Sequence, residues 1–512
     1  VLIALAAVVG GGWGISRLPT AFIPIEDQGY VIIALQLPDG ASLERTQRAL
    51  AEASRIARAT PGVDQSVEIA GISVLDNSAT LSSGAADYVI LEDWGARLKA
   101  GGQDLRTIVQ HIQRELDKLP DAIGLVIVPP AIQGIGNSGG FTMMVEVVDG
   151  TTDFARLDNA VNAVVEAART QSSLQRVATT FRSGVPQVQV LVDRSKAETL
   201  QVSVGDVFNA MSSYLGSTYV NQFNDFNRTF QVYVQADAKF RLTPGDIENL
   251  YVKSKTGQMI PLGALVQVRT IVGPSLITLY NLYPAATVVG SPAPGFSSGQ
   301  AMGLMKQIAD QTLPRGMTSD WTAMSYQENI VGHQIYYVFA LALLLVYLCL
   351  CGQYESWIMP LAVILAVPLS LLGPVIVLNA LGLANNLYTQ IGLMLLIALS
   401  AKNAILIVEM AREHRMKGES ILESAAEAAR SRFRPILMTS FAFILGVVPL
   451  VTATGAGANA RISLGLSVFS GMIASTCLAV LFVPSFFVVL QRLEERRRPK
   501  KKEAGVKAPA AG

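Results

Sequence analysis

Lys402 stands inside an apolar run, Leu393-Met-Leu-Leu-Ile-Ala-Leu-Ser-Ala-Lys402-Asn-Ala-Ile-Leu-Ile-Val408, which with its flanks is long enough to cross a bilayer. An ammonium at the centre of a spanning helix costs about 2.5–3.5 kcal/mol on insertion scales, so such groups usually pair inside a bundle and mark a proton or ion pathway. The alternative is a lysine that snorkels to the interface. To reach Glu409 its ammonium would climb past roughly six apolar residues, about 9 Å at 1.5 Å per residue, more than the side chain manages comfortably. No hydrophobic run in the chain carries an Asp or Glu to balance the charge. The partner carboxylates are expected from a second chain or from a further segment of a longer one. Val1–Ser16, apolar and without an initiator Met or a basic leader, reads as a span truncated at its head and favours the second source.

The elements around Lys402 follow from composition. The chain is 51% hydrophobic and 15% charged, with its apolar residues concentrated at the two ends, while the middle, about Pro19 to Gly332, reads as globular protein. A net charge of +1 without a basic stripe argues against nucleic acid as a partner. Cys349, Cys351 and Cys477 lie in apolar runs and read as small buried residues. His111, His333 and His414 are too scattered to form a metal set.

Five complete spans are expected, at about Ile335–Cys351, Ile358–Leu381, Leu387–Met410, Pro435–Thr454 and Ile462–Leu490. Arg412, Arg415, Lys417, Arg430, Arg432 and Arg434 between two of them, and the basic tail after Leu490, place both segments in the cytoplasm. The globular region then lies on the other side, the periplasm of a bacterium. Its lack of cysteines rules out a disulfide scaffold.

Within that region, strand and helix patterns alternate. Tyr30–Leu37, Ser42–Ala59 and Gln65–Ala70 form one strand–helix–strand unit; Asp87–Leu91, Asp104–Lys118 and Ile123–Val128 form a second. Thr142–Val148, Asp153–Thr170 and Leu174–Phe181 form a third. The fourth has strands Leu276–Asn281 and Ala286–Val289, helix Ser298–Thr312 and strand Met317–Trp321. Four such units make two ferredoxin-like split-βαβ subdomains, and Ser183–Pro274 reads as an insertion.

Phe22-Ile-Pro-Ile-Glu-Asp-Gln-Gly29, Ala293-Pro-Gly-Phe-Ser-Ser-Gly-Gln-Ala-Met302, Trp321-Thr-Ala-Met-Ser-Tyr-Gln-Glu328, Gln353-Tyr-Glu-Ser-Trp357, Ser400-Ala-Lys-Asn-Ala-Ile-Leu-Ile-Val-Glu409 and Arg434-Pro-Ile-Leu-Met-Thr-Ser440 carry a specific likeness. The chain resembles the resistance-nodulation-division superfamily, and within it the hydrophobe/amphiphile efflux family, over nearly its whole length. Members are about twice as long, with twelve spans, so the resemblance is to the C-terminal half. It implies an α+β membrane protein: a helix bundle of one truncated and five full spans, two ferredoxin-like split-βαβ porter subdomains in the periplasm, and an inserted α+β docking domain. The expected boundaries are 1–18 for the truncated helix, 19–136 for the first porter subdomain, 137–182 with 275–329 for the second, 183–274 for docking, 330–491 for the remaining spans and 492–512 for a disordered cytoplasmic tail.

The implied activity is proton-driven export of amphipathic compounds from the periplasm across the cell envelope, by a multi-pass protein of the bacterial inner membrane. No cofactor is implied beyond the proton-motive force. The implied partners are two further copies in a homotrimer, the N-terminal half of the same pump, a periplasmic adaptor protein, an outer-membrane channel, membrane lipid and small amphipathic substrates. By position Lys402 matches the family's relay lysine, with Arg432 and Thr439 its polar partners and Asn403 a fixed dipole beside it. Thr439 reads equally as a hydroxyl bonded to its own helix, and Arg432 as a cytoplasmic anchor. For substrate binding the resemblance points to Leu75 in the switch-loop stretch Gly71–Gly84, read here as mobile, to Tyr88, Leu125 and Ile127 at positions where aromatics are usual, and to Arg182. Tyr88 reads equally as a strand core residue. Asn221–Arg228 is expected at the tip of an intersubunit arm.

Enzyme chemistry lacks its parts: there is no Walker lysine motif, His-Glu metal motif or Gly-x-Ser-x-Gly elbow. A metal-ion exporter would need more ligands than the scattered Met394, Met410 and Met438. A non-drug transporter of the same superfamily, for a metal ion, lipid or other substrate, or a scaffold fragment inactive without its N-terminal half, stays open as the alternative.

Overall fold

A computed structural model describes residues 2–76, 78–132, 134–136 and 139–497. The chain divides into two compact units, one of residues 1–152, 159–180 and 278–512, the other of residues 153–158 and 181–277.

The first unit opens with α1 (Leu2–Arg17) and continues through β1 (Tyr30–Gln36), α2 (Leu43–Arg58), β2 (Val63–Ser73), β3 (Ala79–Leu91), α3 (Trp94–Ala100), α4 (Leu105–Leu116) and β4 (Ile123–Ile127). The strands form one antiparallel sheet in the order β2-β3-β1-β4. Alternation along β1 sets its two faces. Val31, Ile33 and Leu35 join Leu50, Ala53 and Ala57 of α2 and Ile108, Ile112 and Leu116 of α4 in one core, while Ile32 and Ala34 face the other way. Both helices start at a side-chain cap, with Ser42 accepting from the Arg45 amide and Asp104 from that of Thr107.

A second sheet begins with β5 (Phe141–Val147), α5 (Phe154–Arg169) and β6 (Leu174–Thr179). The other unit follows in sequence. It holds β7 (Val185–Val192), α6 (Arg194–Thr199), α7 (Val204–Met211), the hairpin β8 (Thr218–Asp225) and β9 (Arg228–Val234), then β10 (Tyr251–Lys253), β11 (Met259–Pro261) and β12 (Val266–Gly273). Ala197, Val207, Met211, Ile247, Leu262 and Leu265 are among its core residues. Every residue of β8 and β9 is exposed, although Phe223 stacks on Phe230 and Tyr219 meets Tyr233 edge-on across the ladder. Back in the first unit come β13 (Thr278–Tyr280), β14 (Tyr283–Pro292), α8 (Ser298–Thr312) and β15 (Met317–Trp321). Here β15 pairs β5, β5 pairs β14, and β14 also carries β6 and β13.

Among the described residues, five helices are long and apolar enough to cross a membrane. They are α9 (Ala323–Tyr354), the broken pair α10 (Pro360–Ile364) and α11 (Ala366–Leu381), α12 (Leu387–Met416), α13 (Ile421–Val451) and α14 (Ala458–Arg497). Small residues set their spacing: a Cβ on Gly373 of α11 would lie 2.1 Å from the Ser470 carbonyl oxygen of α14, and one on Gly471 of α14 would lie 2.1 Å from Leu396 of α12.

Three expectations need correction. The basic segment Ala411–Arg434 is mostly helix, not loop, because α12 and α13 continue beyond their apolar stretches. The break is confined to Lys417–Ser420, where Gly418 takes φ +99° and Ser420 with Glu423 forms a capping box. The stretch Gly71–Gly84 is a hairpin rather than a mobile loop: β2 runs to Ser73, β3 starts at Ala79, and Ile72 pairs with Thr80. Helix α14 extends six residues past the expected start of the tail, to Arg497, and the rest of the expected tail lies outside the described residues.

Asp87 on β3 is 0% exposed, in the layer where α2 covers the sheet. Neither carboxylate oxygen has a hydrogen bond of good geometry among the described residues, and Ser54 and Ser66 beside it bond each other at 2.7 Å. Burial, and next the charge of Glu68, push its carboxyl from 3.8 up to about 6. The folded state therefore binds the proton more tightly than the unfolded chain. Below about pH 4 both forms are protonated and nothing is lost; the penalty grows to about 3 kcal/mol as pH rises past 6. Asp87→Asn is expected to raise the thermal unfolding midpoint at pH 7.5 and to leave it nearly unchanged at pH 4, as differential scanning fluorimetry would show.

Candidate functional site

Lys402 lies mid-way along α12 on an exposed face, and its ammonium sits 5.2 Å from the ring centroid of Phe443 on α13. A cation–π contact of this kind is worth about 0.5–2 kcal/mol, less than the cost of the charge in hydrocarbon. No ion pair to Lys402 occurs among the described residues. The surrounding surface is apolar and uncovered, with Met438, Phe441 and Leu445 of α13 all exposed.

The other expected relay residues distribute unevenly around it. Asn403, one position on and so about 100° round the helix, is buried, and its amide nitrogen has no partner among the described residues. Ser400 and Ser440 likewise keep buried hydroxyls without partners there. These orphan polar atoms could be satisfied by water inside the bundle. Thr439, one turn before Phe443, donates its hydroxyl to the Ile436 carbonyl at 3.0 Å. Arg432 precedes Phe443 by eleven residues, about 16 Å along α13, and lies near Glu413 at the basic end of α12. The structure thus brings Thr439 within one turn of the ring that Lys402 meets and leaves Arg432 about three turns back from that ring along α13.

Four of the five expected substrate residues share one surface. Leu75, Tyr88, Leu125 and Ile127 belong to the cluster on the face of the first sheet away from α2 and α4. In one row Val67 pairs with Tyr88, Tyr88 with Ile32, and Ile32 with Ile127. Arg182 belongs to the other unit. The hairpin tip that carries Leu75 is fastened by Asp76, which accepts hydrogen bonds from Ser73 at 2.7 Å and from Thr180.

Near the sheets a cleft of about 1050 Å³ is lined by α3 and α4 residues such as Trp94, Leu98 and Val109, by Arg176 on β6, and by Pro294 and Phe296. Arg176 takes φ +54°, donates to the Val126 carbonyl at 3.1 Å, and is held below its ordinary pKa by burial. Glu26 and Asp27 also border this cleft. Burial raises the Glu26 pKa against the opposing effect of two backbone amides. Sequence reading gave these acids no role, since their partners lie far along the chain. The only signal was their place in the Phe22–Gly29 phrase.

Long apolar helices, an antiparallel sheet backed by α2 and α4, a second antiparallel sheet, and an exposed ammonium midway along one of those helices are the features of a protein built to sit in a membrane. The chain belongs to the AcrB/AcrD/AcrF family of resistance-nodulation-division efflux transporters, whose model matches residues 1–491. It is 38% identical over 494 residues to the toluene efflux pump membrane transporter TtgB of Pseudomonas putida, covering 96% of this chain and 47% of that protein. It is 39% identical over 481 residues to the multidrug export protein AcrF of Escherichia coli, covering 93% of this chain and 46% of the relative. With the multidrug resistance protein MdtF of the same organism it shares 37% over 488 residues, 94% of this chain and 46% of the relative. The chain spans about half the length of the curated relatives it matches.

Asp76→Ala removes two hydrogen bonds to a carboxylate, each worth about 1.5–3 kcal/mol. Amide hydrogen exchange at Ser73–Ala79 is expected to accelerate at least tenfold, with β1 and the distal part of β3 unchanged.

Proposed function

We propose that this chain is the C-terminal half of a proton-driven exporter of amphipathic compounds in a bacterial inner membrane. The observation that carries the reading is the exposed Lys402 ammonium at mid-span, with no ion pair among the described residues, beside an apolar face that nothing in the first unit covers. A second set of spans, from the N-terminal half of the same pump, would cover that face and bring the carboxylates the ammonium needs. With the carboxylates charged, the ammonium is held by them. Their protonation frees it to turn toward Thr439 or to the polar interior at Asn403, which makes a two-state element. A proton crossing the field contributes about 2.3 kcal/mol per 100 mV, enough to bias such an element without any cofactor. Arg432 sits toward the cytoplasmic end, where it would meet protons leaving the bundle.

The two sheet subdomains serve as porter subdomains on the periplasmic side. Substrate enters the cleft beside Arg176 and meets the face built from Leu75, Tyr88, Leu125 and Ile127. A cleft of this size suits small amphipathic molecules, and its few aromatic groups point to binding by shape and apolar contact. The wholly exposed β8–β9 hairpin is marginal as a free two-stranded ribbon, and its aromatic ladder supports an arm that docks on a neighbouring copy in a homotrimer. A periplasmic adaptor and an outer-membrane channel complete the route. That relatives are named toluene, solvent and multidrug pumps supports this substrate class.

Energised dye efflux from cells carrying the complete transporter, at matched membrane abundance, tests the reading. Lys402→Ala is expected to lower efflux to the level of cells without the pump. Retained efflux would make Lys402 a structural lysine and remove the proton-coupled mechanism.

A further inference from the structure

The segment Pro19–Gly29 between α1 and β1 has almost no regular structure, yet it makes a series of hydrogen bonds to residues far along the chain. Its first half zips against the residues that open α12. The Pro19 carbonyl accepts from the Asn385 amide at 2.7 Å, Thr20 forms a parallel bridge with Asn385, and the Phe22 carbonyl accepts from the Leu387 amide at 2.9 Å. Asn386, the N-cap of α12, also donates its side-chain amide to Ser463 of α14 at 2.9 Å.

The second half grips α14 and then the first sheet subdomain. Glu26, 5% exposed, accepts from the Ala460 amide at 2.6 Å and the Asn459 amide at 3.2 Å, so one carboxylate satisfies two orphan donors in the first turn of that helix. Asn459 returns the contact by donating to the Ile25 carbonyl at 2.6 Å. One residue on, Asp27 pairs with Arg97 at 2.8 Å. Arg97 is 4% exposed and also donates to the Glu92 carbonyl, while Trp94 donates to the Asp27 carbonyl. Three residues later β1 begins.

Nine residues therefore clamp the outer ends of two spanning helices, one of them the helix of Lys402, to the subdomain whose sheet carries Tyr88 and Leu125. A chain that merely connected two domains would need none of these bonds. We infer that Pro19–Asp27 is a coupling strap: it carries displacement of α12 and α14 at the membrane surface into the first sheet subdomain, with Glu26 the positioning residue that keeps strap and α14 moving as one body. This inference rests on the proton-coupled reading above.

The test uses the complete transporter reconstituted in vesicles, with proton flux and substrate transport followed together. In the Glu26→Ala variant, substrate-stimulated proton flux is expected to persist while substrate transport falls about tenfold, so that protons moved per substrate rise about tenfold. Glu26→Gln, which keeps one acceptor oxygen for the helix amides, should fall between. If both fluxes decline in step with the amount of folded protein, Glu26 is only a helix cap and the strap does not couple; two unchanged fluxes overturn the inference as well. A wild-type protein that moves substrate without protons refutes the proton-coupled reading instead. In that case a distance measurement still decides the strap. Spin labels at Lys99→Cys and Ala456→Cys, with Cys349→Ala, Cys351→Ala and Cys477→Ala, should give one narrow separation with and without substrate, broadened by Glu26→Ala. A broad separation in the unaltered strap would show that it does not hold the two elements together.

Discussion

A full charge in hydrocarbon has to be paired, hydrated or moved, and Lys402, midway along one of the long apolar helices, brings that requirement into this chain. The neighbouring groups that could solvate it are few. Phe443 offers a ring face, Thr439 gives its hydroxyl to its own helix, and Asn403 points into the bundle. What remains is an exposed ammonium on an apolar helical face, with orphan polar atoms behind it.

The soluble part obeys a related rule, that helix ends and sheet edges must find partners. The first sheet buries one face under α2 and α4 and leaves the other for apolar contacts, and Tyr88 lies on that second face. At the membrane surface the orphan amides of α14 are satisfied by Glu26 from a segment more than four hundred residues earlier. Local capping was available: α12 is capped by Asn386, which directly precedes it. Using a distant carboxylate for α14 makes helix capping a tertiary connection, and the buried Asp27–Arg97 pair extends it into the first subdomain.

Much of this was legible in the sequence where the signal is local. The strand Tyr30–Leu37 and the helices Ser42–Ala59, Asp104–Lys118 and Ser298–Thr312 all follow from patterns within one short segment, and the structure shows each to within a few residues. Reading failed where composition and pairing disagree. Gly71–Gly84 is rich in Gly, Ser and Thr, as loops are, but its β-branched and alternating positions pair across a hairpin whose turn Asp76 fastens. The segment after Lys402 is basic, as cytoplasmic loops are, yet Ala, Glu, Arg and Met are good helix formers and carry α12 to Met416. The strap was out of reach because each of its bonds joins residues far apart along the chain, and no periodicity reports such a contact. Asp87 shows the reverse case: a charge at a core position breaks the strand pattern, and the structure keeps it buried at a cost in stability.

The account turns on whether carboxylates outside this chain meet Lys402 inside the bilayer. The most direct measurement is zero-length carbodiimide cross-linking of the complete transporter in native membranes, followed by peptide mass spectrometry. The account predicts an amide bond between the Lys402 Nζ and an Asp or Glu of another membrane span, with Lys402 shielded from water-soluble amine reagents. A Lys402 that such reagents modify readily, and that forms no cross-link, would contradict it.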